Sequence, residues 1–141
     1  MTYVSLVRPR WTDMDVYHHI NHASLVTLLE EARIPLLFTD AVQAGLTELP
    51  KGIVVVRLQV HYKAPIVVSG KDIRVDIDLT ELRAASFTLA YRVHAGPTET
   101  DPVAVTAETV LAPYDTVGLR PRRLTASESE FLKQGFTGVL K

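Results

Sequence analysis

ASLVTLLEEARIPLL, residues 23–37, predicts one long helix in this 141-residue sequence. Five apolar side chains recur there at helical spacing and form a single stripe: Leu25, Leu28, Leu29, Ala32 and Leu36. Asn21 or Ser24 could cap the start of the helix. Because Pro35 lacks the amide hydrogen that would bond to Glu31, we expect a kink or an early end there.

The rest of the chain alternates between apolar and polar residues, as strands do. Strands are predicted at residues 3–8, 53–62, 72–79, 86–94 and 103–111. Such alternation gives a strand one buried face and one wetter face, which is typical of an antiparallel sheet. A short helix is possible near Ser127–Gln134. The helix stripe and the apolar strand faces should cover one another in an α+β fold.

Composition excludes several classes of protein. The length suits a single domain over residues 1–141. With no cysteine, the chain has neither disulfides nor a cysteine nucleophile. A net charge of −1 offers no basic field for nucleic acid. Since the sequence shows neither a membrane-length apolar run nor a signal-peptide pattern, we expect a cytoplasmic protein with no membrane span.

Residues 13–22 concentrate the side chains that could do chemistry, just before the predicted helix. They are Asp13, Asp15, His18, His19, Asn21 and His22. A helix start offers unpaired amide hydrogens that can hold a developing oxyanion. A nearby carboxylate can attack a carbonyl or activate water, and imidazole can orient groups or move protons near neutral pH.

Simpler interpretations of the same residues stay open. Asp15 could be an ordinary turn residue, and Asp13 is expected to be structural. His18 and His22 lie four residues apart and could hold a metal ion together with a carboxylate, although the helical His-Glu-x-x-His pattern is absent. Glutamates on a helix surface, such as Glu31, are usually solvated.

The segment WTDMDVYHHINHASLVTLLEEAR, residues 11–33, resembles the opening of the 4-hydroxybenzoyl-CoA thioesterase family. That family's loose pattern is Asp-x-Asp-x-x-Gly-His-Val-Asn-Asn, followed by a helix that ends in Glu-Glu-Ala-Arg. The likeness continues in VHYKAP at residues 60–65 and in Arg120–Leu124. The histidine at His22 is similar to the family's Tol-Pal-associated branch.

The resemblance implies the hotdog fold, a five-stranded antiparallel sheet wrapped around one long helix. It also implies an acyl-CoA thioesterase that uses no cofactor and binds no metal. Its partners would be an acyl-CoA substrate and further copies of the chain, in a homodimer or homotetramer with substrate between two subunits. The alternative is a non-hydrolytic hotdog protein, either an acyl-CoA binding module or a dehydratase. An interaction protein that binds no acyl-CoA is the third possibility.

The resemblance also suggests individual roles. Asp15 falls on the family's catalytic aspartate and would act as base or nucleophile. His22 supplies the helix-start amide, and His19 falls on the family's Gly-His step, where His18 replaces the glycine. If that position requires a positive φ, His18 is strained. The substrate-binding candidates are Tyr17, Asn21 and Glu31. Several cations could meet the phosphates of coenzyme A, although solubility is the simpler explanation for any one of them: Arg57, Lys63, Arg74, Arg120, Arg122 and Arg123.

Overall fold

A computed structural model of the chain describes residues 2–136. The strands are β1 (Tyr3–Val7), β2 (Ile53–Tyr62), β3 (Ile73–Leu82), β4 (Phe87–His94), β5 (Val103–Asp115) and the two-residue β6 (Arg120–Pro121). The α-helices are α1 (His22–Ile34), the single turn α2 (Ala41–Gln43) and α3 (Ala126–Gly135). The five long strands form one antiparallel sheet in the order β1-β3-β4-β5-β2, and β6 pairs with β5.

The sheet curls around α1, and the two share one apolar core. Every member of the predicted helix stripe is buried: Leu25, Leu28, Leu29, Ala32 and Leu36. The inward residues of β4 are buried as well: Phe87, Leu89, Tyr91 and Val93. They belong to one continuous cluster, so burial of these faces stabilises the helix on the sheet. This arrangement is the hotdog fold, as predicted from the sequence.

Pro35 ends the α-helical part of the long helix, as expected. The chain continues without a break through a π-helical turn over Pro35–Asp40 and then α2. Since proline cannot donate an amide hydrogen to the residue four positions before it, the wider turn accommodates the missing bond. The predicted C-terminal helix is also confirmed, as α3.

The expectation of one buried face is wrong for β2 within a single chain. Most of this strand is exposed, including Val54, Val55, Val56 and Leu58. The reason is topological, because β2 lies at the edge of the sheet and pairs with β5 on one side only, within residues 2–136. Its apolar side chains therefore remain uncovered in the isolated chain.

No helix within the described residues is long and apolar enough to cross a membrane.

Candidate active site

The segment before α1 folds into a tight turn held by its own backbone. The Asp15 amide donates to the His19 carbonyl (2.8 Å), and the His18 amide donates to the Asp15 carbonyl (3.1 Å). His18 has a φ of 66°, so the position that the family gives to glycine does require the left-handed conformation here. Hydrogen bonds from Ile20 N–H to the Ile66 carbonyl and from Val68 N–H to the His18 carbonyl tie the turn to the segment after β2.

The carboxylate of Asp15 is held by one oxygen only. Its Oδ1 accepts the backbone N–H groups of Tyr17 (2.8 Å) and His19 (3.2 Å). Within the described part of the chain, Oδ2 accepts no hydrogen bond. The turn therefore fixes the side chain while leaving one basic oxygen available to a ligand or a water molecule.

The start of α1 carries one unused amide. The Asn21 side-chain oxygen accepts the N–H groups of Ala23 (2.8 Å) and Ser24 (3.4 Å), which confirms Asn21 as the cap. Leu25 N–H donates to the Asn21 carbonyl (2.9 Å). By contrast, nothing within residues 2–136 accepts the N–H of His22. This donor lies at the positive end of the helix dipole, where negative charge is stabilised.

Asp15, His19 and His22 line the same cavity, which has a volume of about 380 Å³. Tyr62 and Lys63, at the end of β2, add further polar groups to its wall. The apolar lining includes the buried side chains of Leu25, Ile66 and Val105. The cavity thus combines a carboxylate, imidazole rings and a helix start with an apolar floor.

Three predicted substrate-binding side chains lie outside this lining. Asn21 uses its side-chain oxygen as the helix cap. The Tyr17 ring is exposed and lies beside His19, with 6.3 Å between ring centroids. Glu31 is half-buried in the last turn of α1, far along the helix from His22. The geometry therefore brings together the three residues expected to be catalytic and leaves these three aside.

Asp13 has a structural place. It is 2% exposed and accepts the Arg10 backbone N–H (2.7 Å) and guanidinium (3.2 Å). Although burial favours the neutral acid, these bonds from Arg10 keep the pKa of the Asp13 carboxyl below its ordinary value. Its carbonyl accepts the Asn21 amide (2.7 Å), so Asp13 supports the residue that caps α1.

Sequence reasoning missed most of the cavity wall that comes from β2 and β5. Ile66 and Val105 are distant in the sequence and look like ordinary strand or loop residues. The hydroxyl of Tyr62 donates to the His22 carbonyl (2.9 Å), which links the end of β2 to the helix start. The one available signal was the VHYKAP segment, which resembles the family but does not reveal this contact.

Among residues 2–136, no group of three or more histidine, aspartate and glutamate side chains is placed to hold a metal ion. His22 lines the cavity but His18 does not. The four-residue spacing that suggested a metal site therefore does not bring both rings into the cavity.

Comparison with known proteins agrees with this geometry. Residues 9–135 match the family described as the Thioesterase-like superfamily. The chain belongs to this superfamily. No curated protein matches the sequence. Membership in the thioesterase-like superfamily supports thioester hydrolysis as the general chemistry of the chain, and the narrower likeness to 4-hydroxybenzoyl-CoA thioesterases stays a prediction.

Solved structures support the same fold. A predicted thioesterase from Bacillus stearothermophilus superposes with a TM-score of 0.78 at 19% identity, covering 96% of this chain and 97% of the other. A thioesterase from Thermus thermophilus, solved with coenzyme A and Zn, has a TM-score of 0.74 at 25% identity, covering 97% and 96%. A 1,4-dihydroxy-2-naphthoyl-CoA thioesterase from Synechocystis has a TM-score of 0.74 at 14% identity, covering 94% and 96%.

Proposed function

We propose that this thioesterase-like protein hydrolyses acyl-coenzyme A thioesters to the free acid and coenzyme A. One observation carries the proposal. Within residues 2–136, one oxygen of the Asp15 carboxylate and the N–H of His22 have no hydrogen-bond partner, and both residues line the same cavity. A base or nucleophile on one side and an oxyanion donor on the other are the two groups that acyl transfer requires.

In the proposed reaction, the His22 N–H polarises the thioester carbonyl. Asp15 either takes a proton from water, whose oxygen attacks the carbonyl carbon, or attacks the carbon itself. The carbon–sulfur bond then breaks, and the thiolate of coenzyme A leaves and takes up a proton. In the second route the first product is a mixed anhydride on Asp15, which water hydrolyses. His19 would orient the substrate or move a proton near this centre.

Coenzyme A is the proposed carrier for two reasons. The Thermus thermophilus structure was solved with coenzyme A, and the Synechocystis relative acts on an aromatic acyl-CoA. The cavity also offers the cation of Lys63 beside an apolar floor, which would suit phosphates and an acyl group respectively. A position within the 4-hydroxybenzoyl-CoA branch is part of the same proposal.

A second copy of the chain is the proposed protein partner. In the part of the chain that the structure describes, β2 pairs with β5 alone, so its outer edge presents unpaired backbone groups together with apolar side chains, among them Val56, which is 63% exposed. An exposed apolar edge strand favours pairing with another chain. We expect a homodimer across β2, which could pair further into a homotetramer.

A panel of aromatic and aliphatic acyl-CoA substrates with thiol detection tests the proposal. Release of free coenzyme A with turnover would support it. Tight binding of acyl-CoA without any thiol release would instead indicate a binding module and overturn it. A single turnover in oxygen-18 water separates the two routes, because label enters Asp15 only if the aspartate is the nucleophile.

A further inference from the structure

A buried histidine outside the cavity faces two hydrogen-bond acceptors. His94 ends β4, is 4% exposed, and contacts Asp76 of β3, which is 5% exposed. Its Nδ1 lies 2.8 Å from the backbone carbonyl oxygen of Asp101. Its Nε2 lies 3.1 Å from Oδ2 of Asp76. Neutral imidazole carries a single N–H, so it cannot donate to both.

The charge state of Asp76 decides which group holds the proton. Oδ1 of Asp76 accepts Arg74 Nε (2.7 Å), and Oδ2 also lies 3.5 Å from Nη2 of Arg92. A carboxyl surrounded by these donors is stabilised as the anion. Burial opposes the charge, but the bonds from Arg74 and His94 keep the pKa of the Asp76 carboxyl below its ordinary value. Asp76 therefore accepts, and both nitrogens of His94 must donate.

We infer that His94 is a buried, doubly protonated imidazolium that joins β3 to the β4–β5 connection, residues 95–102, and thereby positions one wall of the cavity. The surrounding charges agree with this state. The cations near the pair are Arg74, Arg92 and Lys71, and the carboxylates are Asp76, Asp78, Glu99 and Asp101. The carboxylates outnumber those cations, and a charged His94 restores the balance.

The connection leads directly into the cavity wall. Val103, which begins β5, pairs with His94. The carbonyl of the next residue, Ala104, accepts the backbone N–H groups of Lys63 (2.9 Å) and Ala64 (3.0 Å). Lys63, Ala64 and Val105 all line the cavity. Anchoring the connection at Asp101 therefore fixes the strand start from which this wall is built.

Nitrogen-15 NMR of the unmodified protein tests the charge state directly. Two-bond correlations from the ring carbon protons should show both nitrogens of His94 protonated at neutral pH, with the exposed ring of His61 as the reference in the same spectra. A His94 ring with one bare nitrogen at neutral pH would overturn the inference. Asp76→Asn should convert His94 to the neutral ring, with its proton on Nδ1.

Kinetics test the positioning role, which rests on the proposed hydrolysis. In His94→Gln, KM for acyl-CoA at neutral pH should rise by about 3- to 10-fold, because one hydrogen bond that holds the cavity wall is lost. The kcat of the variant should stay within about two-fold of the parent value. Arg83→Gln, which removes an exposed ion pair with Glu81, is the control.

Two outcomes separate the hypotheses. If the parent hydrolyses acyl-CoA and His94→Gln keeps the parent KM, the positioning role is refuted. If the parent hydrolyses nothing, the proposed function fails, and NMR still decides the charge state of His94.

Discussion

Replacing Asp15 by asparagine should abolish most of the activity and leave the fold intact. The amide oxygen of asparagine can still accept the N–H groups of Tyr17 and His19, which Oδ1 accepts now. Only the free oxygen is exchanged, for an NH₂ group that is neither basic nor nucleophilic. We therefore expect the free energy of unfolding to change by less than about 0.5 kcal/mol.

The loss of rate follows from the role of that oxygen. A positioned proton-transfer group contributes about 10²- to 10⁴-fold to the rate, which equals roughly 2.7–5.4 kcal/mol of activation free energy. KM should change by less than about three-fold, because asparagine held through its Oδ1 keeps the conformation that Asp15 has now. Thiol release from the best acyl-CoA of the panel, followed at saturating substrate, measures kcat.

Asp115→Asn is the matched control. Asp115 is also half-buried and directly precedes a turn, and its Oδ1 accepts two backbone N–H groups, those of Val117 and Gly118, each at 3.0 Å. It lies at the opposite end of β5 from Val105, away from the cavity. The same substitution there should leave kcat unchanged. If Asp15→Asn also stays within a few-fold of the parent, Asp15 is not the catalytic group.

Three further predictions concern the helix start, acid stability and assembly. Tyr62→Phe removes the hydrogen bond to the His22 carbonyl, so kcat should fall about 5-fold, which corresponds to ~1 kcal/mol of activation free energy. Steady-state kinetics that match the parent would refute this. Buried Glu128 accepts Arg122 at both oxygens (2.8 Å each), and although burial opposes the charge, these bonds hold its pKa below the ordinary 4.5. The Glu128–Arg122 ion pair stabilises the fold above pH 4.5, and this contribution is lost as the pH falls through the folded pKa of Glu128. Glu128→Gln should therefore lower the free energy of unfolding in urea by about 1.5–3 kcal/mol at pH 7. An equally large decrease at pH 3 would be inconsistent with the reasoning. Val56→Lys places a charge on the exposed edge of β2, and sedimentation of the variant should then show the 15.6 kDa monomer instead of a dimer. A parent protein that sediments as a monomer would disprove the proposed assembly.

Local patterns in the sequence predicted most of the secondary structure. The stripe from Leu25 to Leu36 specified a helix that buries one face, and strict alternation specified β3 and β4. Cap chemistry offered Asn21 or Ser24 as the helix start, and Asn21 is the cap. The missing amide of Pro35 predicted a kink or an early end, and α-helical bonding ends there. These predictions succeeded because each depends on neighbours within a few residues.

The sequence also placed Asp15, His19 and His22 close together, since they precede one helix, and the family resemblance suggested their catalytic roles. Only the tertiary structure decided what surrounds them. The exposure of β2 depends on its place at the sheet edge, a consequence of strand order that alternation does not encode. Tyr62 and Val105 reach the cavity together because they are partners in the pairing of β2 with β5. The proton on His94 likewise depends on acceptors brought to it by β3 and by the chain reversal at Asp101, contacts between residues far apart in sequence that no local pattern contains.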